Sequence, residues 1–145
     1  MSLSVTALLT DVARQRIAQY SISGKAYQVV DFSVNSFGHD LGDPTLALPS
    51  DRSAVVCPGG TPLFGPEPIY SSVLISDFCP QFLCVLEKIE SNGSLSNICL
   101  IATVVYSPIG GDVEVGTSFL YAVGNFPLKI KTGADRMLIN VNVQF

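Results

Sequence analysis

Short runs of strand-forming residues, separated by turn residues, fill most of the sequence after its first quarter. They cover Tyr27–Val34, Tyr70–Ser76, Gln81–Glu90, Ile98–Tyr106, Ser118–Phe126 and Met137–Val143. Many short strands of this kind are typical of antiparallel sheets packed as a sandwich or a partial barrel. The last run alternates most clearly. Its core-facing residues are predicted to be Met137, Ile139, Val141 and Val143.

One helix precedes these strands, and it is predicted over Thr10–Tyr20. Apolar residues recur there at helical spacing, which predicts a single buried face. Thr10 is a suitable N-cap, and Gly24 follows where a helix of this length would stop. The face consists of Leu9, Val12, Ala13, Ile17 and Tyr20. The predicted fold is therefore mainly β, with one N-terminal α-helix.

An Asn-Gly pair at Asn92-Gly93 lies between two of the predicted strands, Gln81–Glu90 and Ile98–Tyr106. Asn-Gly favours the two-residue turns that join antiparallel neighbours. The sequence therefore predicts that these two strands form a β-hairpin.

A long irregular segment, Gly38–Pro68, interrupts the strands with six prolines and five glycines. Only Ala54–Cys57 within it resembles a strand. Long loops in small domains are often functional, and proline lowers the entropy cost of docking. The segment either packs on its own domain or docks on a partner. Candidate partner-interface residues are Phe37, His39, Asp40, Leu41, Pro44, Leu63, Phe64 and Pro66.

Charge is sparse in this chain of 145 residues: 14% of residues are charged, against about 25% in typical domains. Few charges are available to solvate a free surface, so we expect one domain, residues 1–145, that works within an assembly, as a homo-oligomer. Eight Lys and Arg residues without a basic cluster argue against a nucleic-acid partner. No secretory signal or membrane span is predicted, which indicates synthesis in a reducing cytoplasm.

The four cysteines show no zinc-binding spacing. On an extended strand, Cys79 and Cys84 would lie roughly 16 Å apart, too far for a disulfide. The simplest interpretation is that Cys57, Cys79, Cys84 and Cys99 are small buried apolar residues, with a zinc site or a disulfide as alternatives.

No arrangement of residues indicates catalysis. The single histidine, His39, lies beside Asp40 in a Gly- and Pro-rich segment, and no GxSxG motif supplies a nucleophile. Asp40 and Asp43 lack the spacing of a calcium loop and are better explained as turn residues. We therefore predict no catalytic, cofactor or metal site, and a protein that is not an enzyme.

Two regions of the chain resemble the N-terminal domain of bacteriophage tail-collar fibre proteins. The first holds Leu9-Thr10-Asp11, Arg16-Ile17-Ala18, Gly24 and Val29–Val34, which follow the family's opening helix and strand. The second is Ser118–Pro127, whose Ala122–Pro127 part is similar to the family's AxGNFP segment. From the residues themselves, we interpret Gly124, Asn125, Phe126 and Pro127 as fold-specifying: a bend, a core residue and an end to strand pairing.

The resemblance implies a virion structural protein, assembled in the host cytoplasm, that anchors a fibre to the tail or baseplate. No shaft or tip sequence follows Phe145, so we expect the anchor domain alone: a collar, neck, baseplate or tail-fibre connector whose partners are other virion proteins. The alternative is a carbohydrate-binding β-sandwich module. Trp is absent, so Tyr70, Tyr106 and Tyr121 would have to stack on sugar rings.

Overall fold

The computed structural model describes residues 1–36, 64–90 and 92–144. Much of the predicted irregular segment, with Ala54–Cys57, lies outside these ranges. The elements are β1 (Ser2–Leu9), α1 (Asp11–Ser23), β2 (Ala26–Asn35), β3 (Phe64–Pro68), β4 (Ser71–Ser76), β5 (Cys79–Leu86), β6 (Gly93–Tyr106), β7 (Ser118–Lys131) and β8 (Met137–Gln144).

The eight strands form one sheet that curls into a half-barrel, in the order β3-β2-β6-β7-β1-β8-β5-β4. The prediction of a mainly β fold with one helix is confirmed. The expectation of purely antiparallel pairing is wrong at one place, because β1 and β8 run parallel from Ser2↔Leu138 to Leu8↔Gln144. Since β1 begins the chain and β8 lies near its end, local sequence carries no sign of this pairing.

Strand β1 was not predicted, although its sequence alternates. Val5, Ala7 and Leu9 are buried, and Leu3 packs against the same core. This strand lies between β7 and β8 in the middle of the sheet. Period-two spacing of the four apolar residues is the signal that could have revealed it.

Helix α1 begins and ends as the sequence predicts. The Thr10 hydroxyl oxygen accepts a hydrogen bond from the Ala13 N–H at 3.0 Å, which caps the first turn. Gly24 ends the helix with φ 74°, a conformation that glycine adopts without steric cost. Ala13 and Tyr20 are buried against the sheet, so the predicted apolar face is confirmed.

The hairpin predicted at Asn92-Gly93 is wrong. Strand β5 pairs with β4 and β8, whereas β6 pairs with β2 and β7. The two strands are neighbours in sequence but not in the sheet. The turn signal is local, while the partner of each strand is set by burial across the whole sheet.

The main core lies on one face of the sheet and includes Phe32, Leu100, Phe126 and Ile139. A smaller buried cluster of Cys99, Leu120 and Val123 alternates with main-core residues along β6 and β7, and so lies on the opposite face. The alternation predicted for β8 is confirmed. Its four inward residues, Met137, Ile139, Val141 and Val143, are all buried.

The cysteines differ from one another. Cys79 and Cys84 are free, as expected for a pair too far apart on one strand. Burial raises the pKa of the Cys84 thiol to about 12, so it behaves as the predicted apolar core residue. Cys99 is disulfide-bonded, so its interpretation as a plain apolar residue is wrong.

Candidate docking surfaces

An exposed apolar strand forms one edge of the sheet. All six residues of β4 are exposed, and they include Val73, Leu74 and Ile75 at 57%, 67% and 52%. Tyr70 precedes the strand and Phe78 follows it in the turn to β5, and both are also exposed. We call these five residues the edge surface: Tyr70, Val73, Leu74, Ile75 and Phe78.

The edge surface presents apolar side chains on both faces of its strand. Residues of a strand point alternately to the two faces, so Val73 and Ile75 share one face and Leu74 lies on the other. Among the described residues, β4 pairs with β5 alone, which leaves the peptide groups of its outer side without a strand partner. An edge of this kind is a template for pairing with another chain.

A second apolar surface lies on the loop between β6 and β7. Five exposed residues, which we call the loop patch, form it: Val105, Tyr106, Ile109, Val113 and Val115. Four strands (β7, β1, β8 and β5) separate β6 from β4 in the sheet. The two apolar surfaces are therefore distinct.

Ion pairs hold the β6–β7 loop against α1 and the start of β2. Lys25 Nζ lies 3.0 Å from Asp112 Oδ2 and also pairs with Glu114. Glu114 in turn pairs with Arg16 and accepts a hydrogen bond from the Tyr20 hydroxyl at 3.0 Å. The two cations balance the two carboxylates, so this network has the character of a structural clamp.

Asp112 is the most strongly held carboxylate of this clamp. Its hydrogen bond from Lys25, followed by one from Ser107, holds the pKa of Asp112 below its usual range. Asp112 Oδ1 also accepts the Glu114 N–H at 3.0 Å, a turn contact inside the loop. The clamp therefore fixes the backbone from which the loop patch projects.

Of the sequence-predicted interface residues, only two fall within the described ranges. Phe37, His39, Asp40, Leu41, Pro44 and Leu63 lie outside them. Phe64 is half-buried and packs against the core, whereas Pro66 is exposed. The irregular segment predicted to reach Pro68 ends earlier, because Phe64–Pro68 forms strand β3 on the edge of β2.

The residues of the AxGNFP-like segment lie in the middle of the fold. Gly124 allows β7 to approach β1 closely, because a methyl group there would lie 2.6 Å from Val5 Cγ1. Asn125 Oδ1 accepts a hydrogen bond from Asn97 Nδ2 at 2.8 Å, and Phe126 is buried. Strand β7 continues past Pro127 to Lys131, so the expectation that Pro127 ends pairing is wrong.

Pro127 nevertheless lies at an irregularity of the sheet. Between the pairs Leu95↔Lys129 and Asn97↔Asn125, β7 advances four residues while β6 advances two. Proline lacks an N–H and is tolerated in sheets at such bulges. The strand therefore bends around Pro127 and resumes pairing after it.

The three tyrosines considered for sugar stacking do not form one group. Tyr121 is buried, and burial is the main cause that raises its pKa. Tyr70 and Tyr106 are exposed but belong to the two separate surfaces described above. No stacking platform is built from all three.

Other kinds of site were sought in the described part of the chain. Within residues 1–36, 64–90 and 92–144, no three His, Cys, Asp or Glu side chains converge as a metal site would require. None of the helices in those ranges is both long and apolar enough to span a membrane.

The edge surface was missed by the sequence analysis, which treated Tyr70–Ser76 as an ordinary strand. Its signal is a run without charge and with consecutive apolar residues Val73, Leu74 and Ile75, which does not alternate as a half-buried strand would. Comparison with protein-family models, curated proteins and solved structures finds no match to this chain.

Proposed function

We propose that this chain is a bacteriophage virion structural protein, a tail-fibre, collar or baseplate connector that docks onto the tail or neck and supports fibres. The observation that carries the assembly role is the edge surface. An exposed, uncharged apolar edge strand tends to pair with other chains. A subunit that is covered by neighbours in an assembly tolerates such an edge, whereas a free monomer would tend to aggregate.

Two separate apolar surfaces support a connector in particular. A connector must touch at least two neighbours, and the edge surface and the loop patch can each serve one. The ion-pair clamp of Lys25, Asp112 and Glu114 holds the loop patch in place before any partner arrives. Preorganisation of this kind lowers the entropy cost of binding.

The assignment to a phage particle rests on the resemblance to tail-collar fibre domains. The residues that carry it, from Thr10 and Gly24 to Ala122–Pro127, hold structural positions at the helix caps and in β7. The disulfide at Cys99 is compatible with it, because disulfides persist at virion surfaces after release from the host.

Mass spectrometry of purified phage particles tests this proposal. We expect the chain in every preparation, at a constant ratio to the other tail proteins. Leu74→Lys, which places a charge on the edge surface, is expected to reduce incorporation at least tenfold. Gln19→Lys on the exposed face of α1 is the matched control and is expected to incorporate normally.

Absence of the wild-type chain from purified particles would overturn the virion assignment. Normal incorporation of Leu74→Lys would show that the edge surface is not the docking site. Binding of the isolated chain to sugars on a glycan array, combined with absence from particles, would favour the carbohydrate-binding alternative.

A further inference from the structure

The two edges of the sheet differ in their capacity to accept another strand. The β3 edge contains Pro66 and Pro68, with Glu67 between them. The Ile69 N–H donates to the Val30 carbonyl at 2.9 Å, so the preceding residue, Pro68, turns its nitrogen outward. Proline has no N–H, and this edge therefore lacks a donor where an added strand would need one.

The β4 edge carries neither proline nor charge. Ser71–Ser76 consists of serine, valine, leucine and isoleucine only, and every residue is exposed. Proline and lysine are the residues that natural proteins place on edges to prevent pairing. Because only one edge is blocked, the pairing of β4 with β3 of a neighbour, which would build rings or filaments, is disfavoured.

The sequence around β4 is chemically symmetric about Leu74. Reading outward from that residue, each side chain meets one of the same character, and the flanking aromatic residues match as well. The matched positions are Val73 with Ile75, Ser72 with Ser76, Ser71 with Asp77, and Tyr70 with Phe78.

We propose that β4 pairs antiparallel with β4 of a second copy of this chain, across a two-fold axis at Leu74. This inference deepens the proposed function, on which it rests, by naming the occupant of the edge surface. In this register, Leu74 lies opposite Leu74 of the second copy and Val73 lies opposite Ile75. Residues directly opposite each other point to the same face, as a two-fold axis perpendicular to the sheet requires.

The register is favourable on each face of the joined sheet. The valine–isoleucine pairs join β-branched side chains, which pack well across strands, and the Ser72–Ser76 pairs can exchange hydroxyl hydrogen bonds. No charge within Ser71–Ser76 meets a like charge on the second copy. The pairing joins two eight-stranded sheets into one sheet of sixteen strands.

Analytical ultracentrifugation of the full chain tests the pairing. The wild type is expected to sediment as a dimer of twice its 15.4 kDa mass. Leu74→Lys and Leu74→Glu are each expected to be monomeric, because like charges meet at the axis. An equimolar mixture of the two is expected to regain the dimer, since opposite charges then face each other. A monomeric wild type, or dimers in both single variants, would overturn the proposal.

Cysteine cross-linking tests the register. Opposite Cα atoms lie about 4.5–5.5 Å apart, within the range of a disulfide. Leu74→Cys is therefore expected to cross-link with itself under mild oxidation. Val73→Cys is the matched control, since its two copies would lie roughly 8 Å apart, but it is expected to cross-link when mixed with Ile75→Cys.

Wild-type protein under the same oxidant gives the background from its native cysteines. Self-cross-linking of Val73→Cys without that of Leu74→Cys would overturn the register. Circular dichroism verifies that each variant keeps its strand signal, as expected for substitutions at exposed positions.

The dimer and the virion role can fail separately. A chain that is present in particles but monomeric in solution, with Leu74→Cys uncross-linked within the particles, contradicts the β4–β4 pairing and leaves the proposed function intact. A dimer that is absent from particles contradicts the proposed function and supports the pairing.

Discussion

Gly124 illustrates how a single residue sets the distance between two strands. Gly124→Ala would place a methyl group 2.6 Å from Val5 Cγ1 and 3.2 Å from the Thr6 carbonyl oxygen. We expect the free energy of unfolding to fall by about 1–3 kcal/mol, the usual cost of overpacking a core. Urea denaturation followed by circular dichroism measures this change.

The matched control for Gly124 is Gly110→Ala, because no atom lies within 4 Å of a methyl group there. Its effect on the urea midpoint is expected to be small. Equal midpoints for the two variants would contradict the close approach of β7 to β1.

Thr10 joins the helix to the sheet through one hydroxyl. The oxygen accepts from the Ala13 N–H, and the hydroxyl donates to the Leu120 carbonyl at 2.5 Å. Thr10→Ala loses both bonds, so we expect a loss of about 1–2 kcal/mol, the upper part of the range for N-caps. Thermal unfolding measures it, with the exposed Ser21→Ala as control. An unchanged melting temperature would refute the capping role.

At the scale of elements, the ion-pair clamp makes the docking of the β6–β7 loop sensitive to acid. The folded state lowers the pKa of Asp112 below its ordinary value of 3.8. The stabilisation from this carboxylate is therefore complete above that pH and is lost as the pH falls through the lower folded value.

This linkage predicts how Asp112→Asn behaves. The variant is expected to unfold at a lower temperature than wild type at pH 7, and the gap is expected to close as the pH falls below 3.8. Melting curves at a series of pH values measure the gap. A gap that stays constant down to pH 2 would show that Asp112 does not act through its charge.

Elements with local signals could be predicted from sequence, and elements defined by distant partners could not. The cap at Thr10 and the alternation of β8 are written in neighbouring residues, and both were found. The parallel pairing of β1 with β8 joins residues more than 130 positions apart, and the false hairpin at Asn92-Gly93 came from a turn signal without information on partners. Burial across the whole sheet decides such pairings.

The same division applies to the candidate site. Low charge predicted an assembly subunit, but not which surface docks. The exposure of Leu74 follows from the position of β4 at the end of the strand order, which the sequence of β4 alone does not reveal. The role of Gly124 likewise depends on Val5, which belongs to a strand that was not predicted.

For the whole molecule, the two surfaces are expected to act independently. Ile109→Lys in the loop patch should leave the β4-mediated dimer intact and reduce incorporation into particles. Ultracentrifugation and mass spectrometry of particles measure the two effects, with Gly110→Ala as the neighbouring control. Loss of the dimer in Ile109→Lys would show that the surfaces are not separate.

The central position of β1 has a consequence for how the protein is made. The ribosome delivers β1 first, yet β8, its parallel neighbour, emerges only after some 130 further residues. At about 5–20 residues per second, the wait lasts roughly 7–26 seconds. During that interval the apolar side of β1 lacks its final cover, so the nascent chain is a natural client for ribosome-associated chaperones.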